Sequence, residues 1–118
     1  MSARNGQIDF IEFPGADAAT LQKVKAFYGK AFDWEFQDWG DRYVDTASSG
    51  LGAGFNAEPA HAPSQPLAVI LATDLEAALQ AVQAAGGRIS RAIFPFPGGR
   101  RFHFIDPAGN ELAVWAPE

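Results

Sequence analysis

The 118-residue chain carries one order of elements twice, and this internal repeat limits the fold more than any other feature. The first copy opens with QIDFIEF, which alternates as a strand does and stops at Pro14-Gly15. A helical pattern follows, with Val24, Phe27, Tyr28 and Ala31 at one-face spacing and Asp17 placed to cap its start. DWEFQDW, RYVDTA and LGAGFN then read as three short strands separated by glycine or polar residues. The second copy opens with the aliphatic strand PLAVILA. Its helix, TDLEAALQAVQAAGG, has Thr73 and Glu76 in capping-box spacing, Leu75, Leu79 and Val82 on one face, and Gly86-Gly87 as its stop. RISRAIF and strands over Arg101–Ile105 and Glu111–Trp115 complete it.

Asp17 and Asp74 open the two helices at equivalent places, so an offset of 57 residues (74 − 17) superposes the halves and puts Phe10 on Leu67. A unit of this size cannot close its own core. The expectation is an α+β fold: two tandem βαβββ modules forming a curved mixed sheet, with helices on the convex side and the concave side left for a ligand. One domain over 1–118 is expected, with module 1 at about 7–56, an extended proline-rich connector AEPAHAPSQP at 57–66, and module 2 at about 67–116.

Composition removes several functions. Ten Phe and three Trp in a chain that is 47% hydrophobic point to an aromatic core rather than disorder. The absence of cysteine excludes disulfides, thiol catalysis and cysteine-ligated metal. Nine Lys+Arg against 14 Asp+Glu, with no basic cluster, argue against nucleic acid as a partner. MSARNGQIDF has no apolar core of signal-peptide length, and no run is long enough to span a bilayer, so a cytoplasmic protein without a membrane partner is expected.

Two stretches carry a family likeness. FIEFPGADAATLQKVKAFYGKAFDWEF, with its helix ending FYGKAFDW, and FIDPAGNELAVW, whose Pro107 and Gly109 suit a tight turn, resemble the vicinal oxygen chelate superfamily of glyoxalase I, bleomycin-resistance proteins and extradiol dioxygenases. The resemblance covers essentially the whole chain. It implies a divalent metal held by one residue on the first strand of each half and a glutamate on the last strand. Those positions fall on Phe10, Leu67 and Ala113, none of which has a donor atom, and a shift of one residue to Asp9 or Leu112 restores no triad. The chain therefore reads as a divergent glyoxalase-like member without the usual ligands, and no cofactor is expected. A displaced divalent metal would have to use Glu12, His103 and Glu111; against it, Glu12 and Glu111 can be solvated or paired by Arg100 or Arg101.

His103 stands between Phe102 and Phe104 and so on the opposite face of its strand. In the extradiol-dioxygenase branch the resemblance implies a substrate-binding tyrosine ten residues before the metal-binding glutamate, and counting back from Ala113 reaches His103. Such an imidazole can orient a ligand or transfer a proton near neutral pH. Other patterns carry less. GLGAGF lacks the GxGxxG spacing and a following helix, and FPFPGGRR reads as a hinge-like solvated loop whose Arg100 and Arg101 can meet an anion. Trp34 and Trp39 suit a core or a subunit contact, His61 receives no role, and no serine has a His-Asp arrangement.

The functional expectation is a metal-independent small-molecule-binding protein. Its apolar cleft is lined by Phe10, Leu67, Val69, Ala113 and Trp115, with Glu12 and His103 fixing the polar end of the ligand. The alternative is an enzyme: a lyase or isomerase with Glu12 and His103 as catalytic acid and base, or a dioxygenase-related protein with the displaced metal. The resemblance also implies a homodimer.

Overall fold

The computed structural model describes residues 4–118, so the first three residues of the expected domain lie outside the described residues. Its α+β architecture is two βαβββ modules in sequence: β1 (Ile8–Pro14), α1 (Ala18–Phe32), β2 (Gln37–Asp38), β3 (Tyr43–Thr46) and β4 (Gly52–Asn56), then β5 (Leu67–Leu71), α2 (Leu75–Ala84), β6 (Arg88–Phe96), β7 (Gly99–Ile105) and β8 (Glu111–Pro117). The chain forms two compact units, Phe10–Leu67 and Ala68–Glu118, the latter joined by the residues up to Asp9. No helix among the described residues is long and apolar enough to cross a membrane.

In the Phe10–Leu67 unit the strand order is β1-β4-β3-β2, with β1 parallel to β4 and the other pairs antiparallel. Helix α1 starts where the Asp17 carboxylate accepts the Thr20 amide at 2.7 Å. It stops at Asp33, which takes a left-handed conformation and returns its amide to the carbonyls of Gly29 and Tyr28. Leu21, Val24 and Tyr28 carry the helix into a core with Val44, Phe55 and Ala57. Phe27, expected on that face, is 60% exposed, and Ala31 is exposed as well. The buried stripe runs through 21, 24 and 28, and Phe27 sits one position off it.

The expected strand DWEFQDW shrinks to Gln37–Asp38 because its aromatic residues pack instead of pairing. Trp34 stacks on Tyr28 at 4.7 Å between centroids, and Phe36 leans on Phe55 at 6.1 Å. Trp39 is exposed. The connector does not begin extended: the Glu58 carbonyl accepts the amides of His61 and Ala62, closing a turn.

The second unit reproduces the order as β5-β8-β7-β6, with β5 parallel to β8 and the rest antiparallel. Residues before β1 pair with it, Gly6 donating to the Leu71 carbonyl at 2.7 Å and Leu71 to the Gln7 carbonyl at 2.9 Å. The cap of α2 is Asp74, which accepts the Ala77 amide at 3.0 Å, and not Thr73, whose amide and hydroxyl both go to Asn5 Oδ1. The expected glycine stop holds: Gly86 has φ 99° and Gly87 donates to the Val82 carbonyl. FPFPGGRR is not a loop but the tip of a hairpin, since β6 runs through Phe96 and β7 begins at Gly99. At the next turn Asp106 Oδ1 accepts the amides of Ala108 and Asn110, both at 2.9 Å, and Gly109 takes φ 89°. Ala72, Leu75, Phe102, Val114 and Ala116 form the core, closed by Leu79, Val82 and Phe104.

Candidate ligand-binding face

Strand alternation divides β7 between two faces. Phe102 and Phe104 pack toward α2, so Arg101 and His103 point the other way. Cross-strand pairing extends that second face into two rows, Val69–Ala113–His103–Arg91 and Leu71–Trp115–Arg101–Phe94. Arg91 and Phe94 are an odd number of residues apart and would lie on opposite faces of a regular strand. A register shift between them inserts the extra residue that turns both the same way.

The rows make contact as well as alignment. The Arg91 guanidinium lies 3.9 Å from the Phe94 centroid, and that of Arg101 lies 5.3 Å from Phe94 and 5.7 Å from Phe96. The Phe94 ring is 5.8 Å from His103, and the Phe96 ring 6.2 Å from Trp115. The Trp115 indole donates to Asp9 Oδ1 at 3.1 Å, which fixes the ring. His103 is 6% exposed and Arg101 7%, whereas Arg91, Phe94, Phe96 and Trp115 are half-buried and reach solvent.

His103 Nδ1 is 3.3 Å from Glu111 Oε2, which also accepts the Ser90 hydroxyl at 2.9 Å. A carboxylate accepts and does not donate, so the imidazole carries its proton on Nδ1. Nε2 is buried, and no group of the described residues hydrogen-bonds it. Burial holds the imidazole below the ordinary histidine range, the Arg101 charge adds to that, and Glu111 opposes it only in part. His103 is therefore neutral near pH 7, and its Nε2 lone pair is buried without a partner among the described residues.

Of the residues expected at the site, Val69, His103, Ala113 and Trp115 come together on this face. Phe10, Glu12 and Leu67 belong to the other compact unit. There Glu12 is 2% exposed and its Oε1 accepts the Tyr43 hydroxyl at 3.3 Å, beside Gly54. Arg100 pairs with neither Glu12 nor Glu111. It alternates toward α2 and holds Glu76 in a two-pronged ion pair at 2.5 and 3.0 Å. Arg101, read from sequence both as the end of the solvated FPFPGGRR loop and as the first residue of a strand, is a buried strand residue. Its spacing of two from His103 was a usable signal, whereas the bulge that brings in Arg91 and Phe94 has none.

The positions at which the resemblance puts the family's metal carry no donor atom. Phenyl, isobutyl and methyl groups stand at Phe10, Leu67 and Ala113, and Glu111 already serves His103 Nδ1. Among the described residues no group of three or more His, Asp or Glu side chains is gathered to hold a metal ion.

Two βαβββ units, each closed by a parallel pairing of its first and last strands, define the architecture of glyoxalase-like proteins, and comparison with known proteins agrees. The chain belongs to the Glyoxalase/Bleomycin resistance protein/Dioxygenase superfamily, whose family model matches residues 15–114. No curated protein matches it. Among solved structures it is similar to the NAD-dependent benzaldehyde dehydrogenase from Legionella pneumophila (TM-score 0.75, 13% identity, 92% of this chain and 98% of that one). It is similar also to methylmalonyl-CoA epimerase from Mycobacterium tuberculosis (0.67, 14%, 100% and 93%). The Mn(II)-bound glyoxalase from Novosphingobium aromaticivorans aligns with a TM-score of 0.64 at 18% identity, over 96% of this chain but only 39% of that one. At these identities the likeness is one of fold.

Proposed function

We propose that this superfamily member binds a small organic molecule on the face of the Ala68–Glu118 unit that points away from α2, without the metal that Phe10, Leu67 and Ala113 cannot ligate. One observation carries the reading: His103 Nε2, buried and without a hydrogen-bond partner among the described residues, set beside Phe94 and Ala113. An unsatisfied buried polar atom is costly, and a ligand that partners it recovers that cost. Apolar walls with few polar groups are what binding sites present, and the half-buried Phe94, Phe96 and Trp115 provide the approach. The test is a thermal-shift screen of aromatic fragments on metal-stripped protein. Concentration-dependent stabilisation that disappears in His103→Leu supports the reading. Stabilisation that appears only after Mn(II) or Zn(II) is added would overturn it.

A second reading, an enzyme using His103 as a proton acceptor, is favoured by the neutral state of His103. It requires a pH–rate profile with a limb that is lost in His103→Gln. The homodimer implied by the resemblance stays part of the proposal, and sedimentation at micromolar concentration tests it.

A further inference from the structure

The side chains behind His103 say what kind of ligand the face would take. Ser90 on β6 donates to Glu111 on β8, and the same carboxylate oxygen receives His103 Nδ1 on β7, so three adjacent strands fix one imidazole. Because both partners of Glu111 Oε2 must donate, the chain has a direction, and it ends at Nε2 as an acceptor. The charged groups facing His103 are Arg91 from β6, Arg101 from its own strand and Glu111 from β8; β5 contributes the apolar Val69. Burial, more than any of these charges, disfavours a second proton on the ring; Arg101 adds to it and Glu111 opposes it only in part, so the acceptor persists at neutral pH.

We propose that Ser90 and Glu111 are positioning residues that hold His103 as a hydrogen-bond acceptor, and that the ligand of this face is therefore a ring bearing a neutral O–H or N–H donor. The inference rests on the small-molecule reading above and narrows it to a chemical class. Phe94, beside the imidazole, supplies the apolar wall for the ring. A ligand without a donor leaves Nε2 unsatisfied and loses roughly tenfold in affinity.

The test is nitrogen-detected NMR of the imidazoles in the full chain, with His61→Gln separating the two histidines. The inference expects His103 as the Nδ1–H tautomer in the wild type. It expects a shift toward Nε2–H in Glu111→Ala, which removes the acceptor from Nδ1, and no such shift in Arg100→Gln. An Nε2–H tautomer in the wild type, or an Nδ1–H tautomer that Glu111→Ala leaves unchanged, would overturn it. Phenol and anisole are the two probes. Phenol should move His103 Nε2 and Trp115 and bind roughly tenfold tighter than anisole. Equal binding of both on this face would refute the donor requirement while leaving the small-molecule reading intact. If neither probe reaches Trp115 or His103, while both bind elsewhere, the small-molecule reading itself fails for this face.

Discussion

The two units repeat on one face and diverge on the other. Toward the helices they match: Leu21, Val44 and Phe55 in the first, Leu75, Phe102 and Val114 in the second, each an aliphatic and aromatic seal over four strands. On the opposite faces the paired rows differ position by position. Glu12–Gly54–Asp45–Gln37 in the first unit corresponds to Val69–Ala113–His103–Arg91 in the second. The opening strand carries Glu12 in one case and Val69 in the other, and the third strand carries Asp45 against His103. Packing against a helix constrains side chains by shape and apolarity and so preserves the repeat. The other face does not pack against a helix, and there the two units carry different chemistry.

The largest effects should show the likeness. Phe55→Ala and Phe102→Ala each remove a buried ring and should cost about 3–5 kcal/mol in denaturant unfolding. If one is nearly silent, the two cores are not equivalent. The next substitutions should show the difference. A Cβ added at Gly54 would stand 2.8 Å from Phe10 Cζ and closer still to the Tyr43 hydroxyl, so Gly54→Ala should cost about 1–3 kcal/mol. At the corresponding position Ala113→Gly should cost only about 0.5–1 kcal/mol. Equal losses would mean that the faces are built alike.

A smaller effect should belong to the second unit alone. The folded His103 pKa lies below the ordinary 6.5, so the unfolded chain binds more protons in the interval between them. Stability is fully present above about 6.5 and falls as the pH drops toward the folded value. His103→Gln should flatten that part of the stability curve, and an unchanged slope would contradict it. Least of all, Asp17→Ala and Asp74→Ala should lower Tm slightly and alike, because the two caps make the same bond.

Much of this architecture was legible in the sequence. The 57-residue offset, the Asp17 cap, the Gly86-Gly87 stop and the Asp106–Asn110 turn are local signals, and local geometry obeyed them, whereas the cap of α2 is Asp74 and not the expected Thr73. Phe27 and the strand over Trp34–Trp39 misled because aromatic residues suit either a core or a surface until their neighbours are fixed. The candidate face was half legible. His103, Val69, Ala113 and Trp115 follow from alternation and repeat, but Phe94 and Arg91 arrive through a bulge, and Glu111 acquires its role from a partner eight residues away across a turn. Neither has a periodic signature.

The most direct measurement is amide NMR of the uniformly labelled, metal-stripped chain, titrated separately with an aromatic fragment mixture and with Mn(II). The account predicts fragment-induced shifts at Phe94, His103, Ala113 and Trp115 without metal, and no selective Mn(II) broadening at those residues. Selective broadening around His103 by substoichiometric Mn(II), with fragments binding only in its presence, would contradict it.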